Sequence, residues 1–211
     1  MNPVRLRCVC VAGRCMALAW LVVMSAGCSL TRPAPVKDMF LLEPPLPTAT
    51  AKPHAVSVRM GQVTVAAPYR DRPFVYRTGE VKYESDFYNE FFVTPAAMIA
   101  QATGRALAHA NVFARVVPAG NALDDGQYVL EGFVNELYAD ARMKPAAGVI
   151  GVQYYLIRTG AASSIAWSGN YRERVVLREP TAEALATAWN EAFGRVLGTL
   201  VRDLAAIELE R

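Results

Sequence analysis

All four cysteines of this 211-residue chain, Cys8, Cys10, Cys15 and Cys28, lie within its first 28 positions. Everything after them must fold without a disulfide and without a thiolate-held metal. A chain so restricted has to hold itself together by a packed core. What remains, about 180 residues, suits one domain with room for such a core. The first residues follow a different logic. Arg5, Arg7 and Arg14 precede an apolar stretch over 15–24, which the small residues Ser25, Ala26 and Gly27 close. That order is the layout of a secretory signal over residues 1–27, with its positive end left on the cytoplasmic side. The apolar run, roughly ten residues, is shorter than the about 20 that a stable membrane-spanning helix needs.

The small residues lead directly into Cys28, and Ser25-Ala26-Gly27-Cys28 resembles a bacterial lipobox. Small side chains admit the peptide to the lipoprotein signal peptidase, which is expected to cut between Gly27 and Cys28. The Cys28 thiol would carry the covalent diacylglyceryl group, and no other cofactor is expected. Ser29 stands where an aspartate would signal retention in the inner membrane, so the expected location is the outer membrane, lipid-anchored and facing the periplasm. Residues 28–37 then read as a tether. Its Pro33 and Pro35 keep it extended at about 3.1 Å per residue. Loss of the signal removes three arginines and no acids, which leaves nineteen charges of each sign. The whole-chain charge of +3 therefore misleads. No basic patch points to nucleic acid.

Residues 38–211 read as a single α+β domain, a mostly antiparallel sheet with two main helices on one face. An apolar run at 39–42 predicts a first edge strand, and four prolines make 43–54 irregular. Val56, Val58, Met60, Val63 and Val65 alternate with polar residues, predicting a strand bulged at Gly61. The aromatic stretch 74–92 predicts a hairpin turning near Thr78-Gly79. Thr94-Pro95 opens a helix running to about Ala110, with Ile99, Ala102, Ala106, Leu107 and Ala110 as its buried stripe and Asn111 as its stop. Residues 112–117 re-enter the sheet, and 121–126 form a turn. Strands over 128–138, 149–158 and 165–177 suggest an antiparallel meander. In the last of them Trp167, Tyr171 and Val175 share one face, Arg172 and Arg174 the other. Pro180-Thr181 opens a second helix, whose Leu185, Trp189, Phe193, Val196, Leu200 and Leu204 recur at helical spacing.

Catalytic patterns are scarce. His54 and His109 are the only histidines, and no metal-ligand spacing occurs. Asp124-Asp125-Gly126 and Ser163-Ser164 read as turns. Glu131, Glu136 and Asp140 read as solvated carboxylates on a sheet face. No nucleophile elbow or phosphate loop is present, so the chain is not expected to be an enzyme. The aromatic segment has two readings. Aromatics pack well in sheets, which makes it core. Tyr76, Arg77, Tyr83 and Tyr88 could equally present a face for a partner, since tyrosine and arginine favour interfaces. Different residues can satisfy both.

The order of features is similar to the ABC-type transport auxiliary lipoproteins, the group that includes paraquat-inducible protein C. The resemblance rests on Cys28, on Phe40-Leu41-Leu42-Glu43-Pro44, on the strand from Val56 to Val65, on Phe74-Val75-Tyr76-Arg77, on 83–92 leading into Thr94-Pro95, and on the last helix. It spans about residues 38–207. It implies a fold like the N-terminal domain of TolB and no catalytic residues. It also implies partners: a mammalian-cell-entry-type protein with its ABC permease and ATPase, which together move lipid between the two membranes, and a homo-oligomer by analogy. A rival reading is a lipoprotein scaffold or activator in envelope assembly, such as a regulator of a peptidoglycan synthase. In a third, the domain itself holds an acyl chain.

Overall fold

The computed structural model describes residues 36–49, 52–120, 127–160 and 162–209. The expected signal, the lipobox-like motif, most of the expected tether and the turn expected at 121–126 lie outside these residues. Lys37–Arg211 forms one compact unit, and Val36 falls to the unit before it. The described residues of the compact unit form eight strands and two long helices: β1 (Asp38–Phe40), β2 (His54–Val65), β3 (Pro73–Arg77), β4 (Tyr83–Phe91), α1 (Pro95–Ala110), β5 (Phe113–Val117), β6 (Tyr128–Asp140), β7 (Ala147–Arg158), β8 (Ser164–Val176) and α2 (Ala182–Ala206). A short 3-10 turn, Ala67–Tyr69, links β2 to β3. The α+β class with two helices on one sheet face is what the hydrophobic periods predict.

The long ladders are the antiparallel pairs β6 with β7 and β7 with β8. They are the predicted meander. The hairpin of β3 and β4 is also antiparallel. The pairings of β2 with β5, β2 with β6, β3 with β6 and β1 with β4 are parallel, and the sheet is therefore mixed. Parallel neighbours are distant in sequence, so no local turn announces them. β6 organises the sheet. Along one side it pairs with β7 throughout; along the other, its first half takes β2 and its last residues take β3.

Two irregularities aim the side chains. The register of β2 on β6 shifts between Met60 and Val63, at the glycine expected to bulge. A second shift, in β6 between Val134 and Glu136, inserts Asn135 as an extra residue opposite Gly151. Before it Gly132 shares a face with Tyr154, whose hydroxyl reaches α1; after it Ala139 shares a face with Gly148, which lies against Trp189 of α2. One inserted residue thus turns Glu136, Tyr138 and Asp140 to the opposite face. Gly151 leaves room there, since a Cβ would meet the Asn135 amide oxygen and push that side chain aside.

α1 packs on β2 and β5, α2 on β7 and β8. The predicted stripe of α1 is fully buried, joined by Met98 and Thr103. Thr103 Oγ1 donates to Ile99 O at 2.7 Å and shares a 2.8 Å hydrogen bond with the Tyr154 hydroxyl, tying helix to sheet. Asn111 ends α1 in the left-handed conformation, φ 55°. Thr94 occupies the N-cap position without capping by its side chain; its carbonyl accepts from Ala97 and Met98 instead. Pro95 has no N–H in need of a cap. At α2 the capping expectation holds, with Ala184 N donating to Thr181 Oγ1 at 3.1 Å. His54 is structural: its Nε2 lies 2.7 Å from Leu204 O.

Candidate functional site

The sheet face turned away from both helices carries a cluster of polar and aromatic side chains. Register builds it. Tyr83 of β4 pairs with Arg77 of β3, Arg77 with Asp140 of β6, and Asp140 with Ala147 of β7. Paired residues share a face, so this row crosses four strands. The Arg77 guanidinium lies 5.6 Å from the Tyr83 ring centre and 6.0 Å from that of Tyr138. Tyr83 meets Tyr138 edge-on at 5.9 Å, and Tyr69 stacks on Tyr138 at 5.8 Å. Tyr138 and Tyr69 are buried as the floor, whereas Tyr83 stays exposed. Rigid aromatics under a cation, one of them open to solvent, form a surface suited to gripping a protein partner.

Ion pairs frame this floor. Arg172 Nε bonds Glu136 Oε2 at 2.6 Å, and the Tyr138 hydroxyl donates to Glu136 Oε1. Arg142 bonds Asp140 twice, at 2.8 and 2.9 Å, and reaches Glu80 at 3.0 Å. Asp140 and Glu136 are therefore not the solvated carboxylates that strand position suggests. The Arg142 guanidinium holds the Asp140 carboxyl down to about 2, against the opposing effect of burial. An unfolded aspartate titrates near 3.9, so this pair contributes stability that is complete above that value and lost as pH falls from about 4 to about 2. Arg142→Gln should therefore destabilise the domain at pH 6 and match the parent near pH 2. Urea midpoints for both proteins along that pH range test it; a gap that persists unchanged to pH 2 would assign the effect to packing.

Of the four residues expected to face a partner, Arg77 and Tyr83 come together here. Tyr76 does not join them, because adjacent strand residues point to opposite faces. Its hydroxyl donates to Asp86 Oδ2 at 3.0 Å on the helix side. Burial opposes the charge of Asp86, but the Asn89 amide, the N–H groups of Tyr88 and Asn89, and the Tyr76 hydroxyl together keep its carboxyl below the ordinary range. Tyr88 lies exposed at the outer edge of β4, against Phe87. Tyr69, Tyr138 and Arg142 complete the patch without having been singled out in the sequence. Their meeting depends on cross-strand register, though the Tyr138–Asp140–Arg142 spacing of two was a usable sign that these side chains share a side.

Among the described residues no group of three or more His, Cys, Asp or Glu is arranged to hold a metal. No described helix is long and apolar enough to cross a membrane. An apolar hollow of about 600 Å³ lies between α1 and β5, lined by Met60, Ala100, Gly104, Val116 and Pro118 among others.

No protein-family model and no curated protein sequence matches the chain. Among solved structures, the fold is similar to that of protein XCC0632 from Xanthomonas campestris, of the family DUF330. The TM-score is 0.69 at 15% identity, over 78% of this chain and 92% of that one. An uncharacterised protein matches with TM-score 0.61 at 15% identity, over 80% of this chain and 99% of that one. Lipoprotein GNA1162 from Neisseria meningitidis aligns more loosely, with TM-score 0.41 at 14% identity over 72% of this chain and 99% of that one. At such identities the first two matches establish the shared α+β fold and nothing about activity.

Proposed function

We propose that this protein is a non-enzymatic, lipid-anchored accessory component of an ABC and mammalian-cell-entry-type lipid transport system, held at the outer membrane and docking its partners in the periplasm. The observation that carries the docking role is the sheet face opposite the helices, where Arg77 and Tyr83 stand over the buried rings of Tyr69 and Tyr138. The anchor rests on the Ser25-Ala26-Gly27-Cys28 pattern. The choice of transport partner rests on the family resemblance of residues 38–207.

The test is brief crosslinking of the full-length protein in membranes, mild solubilisation, affinity capture and mass spectrometry. Co-capture of a mammalian-cell-entry-type protein with its permease and ATPase is expected. Tyr83→Ala combined with Arg77→Ala should lower that recovery about tenfold or more, as loss of interface anchors does. Capture of a cell-wall synthase without transporter would replace this reading with the envelope-scaffold one. Separately, Cys28→Ala should leave an uncleaved precursor without fatty acid. Processing and acylation of that variant would remove the anchor from the proposal.

A further inference from the structure

A second exposed surface lies at the edge formed by β1 and β4. Phe87, Tyr88 and Phe92 are 61%, 57% and 57% exposed, and Met39, Leu41 and Val93 are exposed beside them. Among the described residues β1 pairs with Asn89–Phe91 and with no other strand, so the preceding part of β4 is an open edge there. Phe92 N donates to Phe40 O, which places the turn before α1 against the end of β1. The apolar strip thus runs along the length of β1 and past both of its ends. Lys37 Nζ sits 5.6 Å over the Phe87 ring and 2.9 Å from Glu90 Oε2. An exposed strip of this kind, with three aromatics and an amine at its border, marks a contact site.

The chain indicates what covers it. Lys37 follows Cys28 by nine residues, a span of about 30 Å even when fully extended. An acyl group on Cys28 therefore keeps β1 within that distance of the bilayer. We infer that the β1–β4 edge docks on the headgroup region of the membrane that holds Cys28, an orientation that rests on the lipoprotein reading above. The side chains suit that layer. Phe87, Phe92, Met39 and Leu41 enter the acyl boundary, while the Tyr88 hydroxyl and the Lys37 ammonium remain among headgroups and water. Docking is shallow, because the outer backbone groups of β1 would go unsatisfied in hydrocarbon. It is driven by apolar contact, since the charges after the signal balance, and so it should tolerate salt. The domain would then stand on its edge, with the Arg77–Tyr83 face directed sideways into the periplasm rather than down onto lipid.

The test uses the full-length acylated protein in phosphatidylethanolamine–phosphatidylglycerol vesicles. The processed chain has no free thiol when Cys28 is acylated, so a single cysteine can carry an environment-sensitive fluorophore. Tyr88→Cys and Phe92→Cys report on the edge, and Ile165→Cys, at an exposed position on β8, serves as reference. Nitroxide-labelled lipid should quench the edge probes at least about threefold more than the reference, in high salt as in low. Equal, weak quenching at all three positions on protein that floats with the vesicles would overturn the docking while leaving the anchor intact. Protein that does not float would remove the lipoprotein reading and the docking with it. Shielding of the edge probes without lipid quenching, together with crosslinks between copies, would give the edge to a second copy and overturn the membrane assignment.

Discussion

Trp189→Ala should destabilise the domain by about 3–5 kcal/mol, more than other single truncations in the core. Trp189 is fully buried on α2, at the point where both halves of the sheet meet the helix layer. Its ring meets Phe74 edge-on at 4.8 Å and Phe91 at 5.4 Å. Its Nε1–H is shared between the carbonyls of Tyr138 and Val149, at 3.3 and 3.2 Å. Gly148 allows this approach, since a Cβ there would come within 3.1 Å of the indole and 3.3 Å of the helix backbone. Alanine would leave a void that rigid strands on one side and a helix on the other cannot close. It would also withdraw the N–H those two carbonyls share. Trp189→Phe separates the two effects: most of the volume stays and the donor goes, so a cost of about 1–2 kcal/mol is expected. Urea unfolding of the three proteins gives the numbers, and the alanine variant should melt about 10 °C lower. A loss under about 1 kcal/mol for alanine would mean that α2 repacks freely and that Trp189 does not join the layers.

The same residue shows which parts of the fold a single sequence carries. Trp189 lies on a helical stripe whose period is local, and so the helix, its buried face and its role in the core are all legible. Asn111 as a left-handed stop and Gly61 as a bulge are legible for the same reason: one residue type suits one backbone conformation. The three-strand meander follows from short connections between alternating runs. The parallel pairings of β2 and β3 with β6 have no such signal, because their partners lie some 65 residues apart and only the finished core sets their register. The candidate surface divides along the same line. Tyrosine enrichment in 76–88 is visible, and the segment does contribute Arg77 and Tyr83. The period of two already places Tyr76 on the other side of β3. What no local pattern gives is the extra residue at Asn135, which turns Tyr138 and Asp140 outward to meet Tyr69, Tyr83 and Arg142.

Replacing Arg72 with methionine should loosen β1 from the sheet while leaving the rest of the domain folded. β1 is three residues long and has β4 as its neighbour in the sheet, so its ladder alone is a weak attachment. The attachment is reinforced around Glu90, whose side chain is only 10% exposed. Lys37 reaches Glu90 from the start of β1 at 2.9 Å, and Arg72 reaches it from the other side at 2.5 Å. Arg72 Nε also donates to Phe91 O at 2.8 Å. Arg72→Met keeps most of the apolar stem but strips Glu90 of one of its two cations, and the carbonyl of its donor. Removing one partner from a mostly buried pair costs more than the pair contributed, because the other charge is left poorly solvated. With Arg72 itself partly in water and Lys37 still in place, about 2 kcal/mol is expected. Its readout is local. The Phe92 N–H, bonded to Phe40 O, should exchange about 30-fold faster, while the amides of β7 keep their protection. Arg72→Met with Glu90→Leu should recover only part of the loss, since no buried charge then remains unmatched but the Lys37 tie to Glu90 goes as well. If the double variant recovers nothing, β1 is held by the Arg72 bond to Phe91 O and the Lys37 pair, and not by the matching of the Glu90 charge. If Arg72→Met leaves Phe92 exchange unchanged, the ladder and the packing of the Phe40 ring on Phe74, 5.1 Å between centres, suffice to hold β1. A detached β1 would lengthen the tether by the residues of the strand and break up the apolar edge at once. Under the proposed docking, the clamp would therefore set both the attachment of β1 and the orientation of the domain at the membrane.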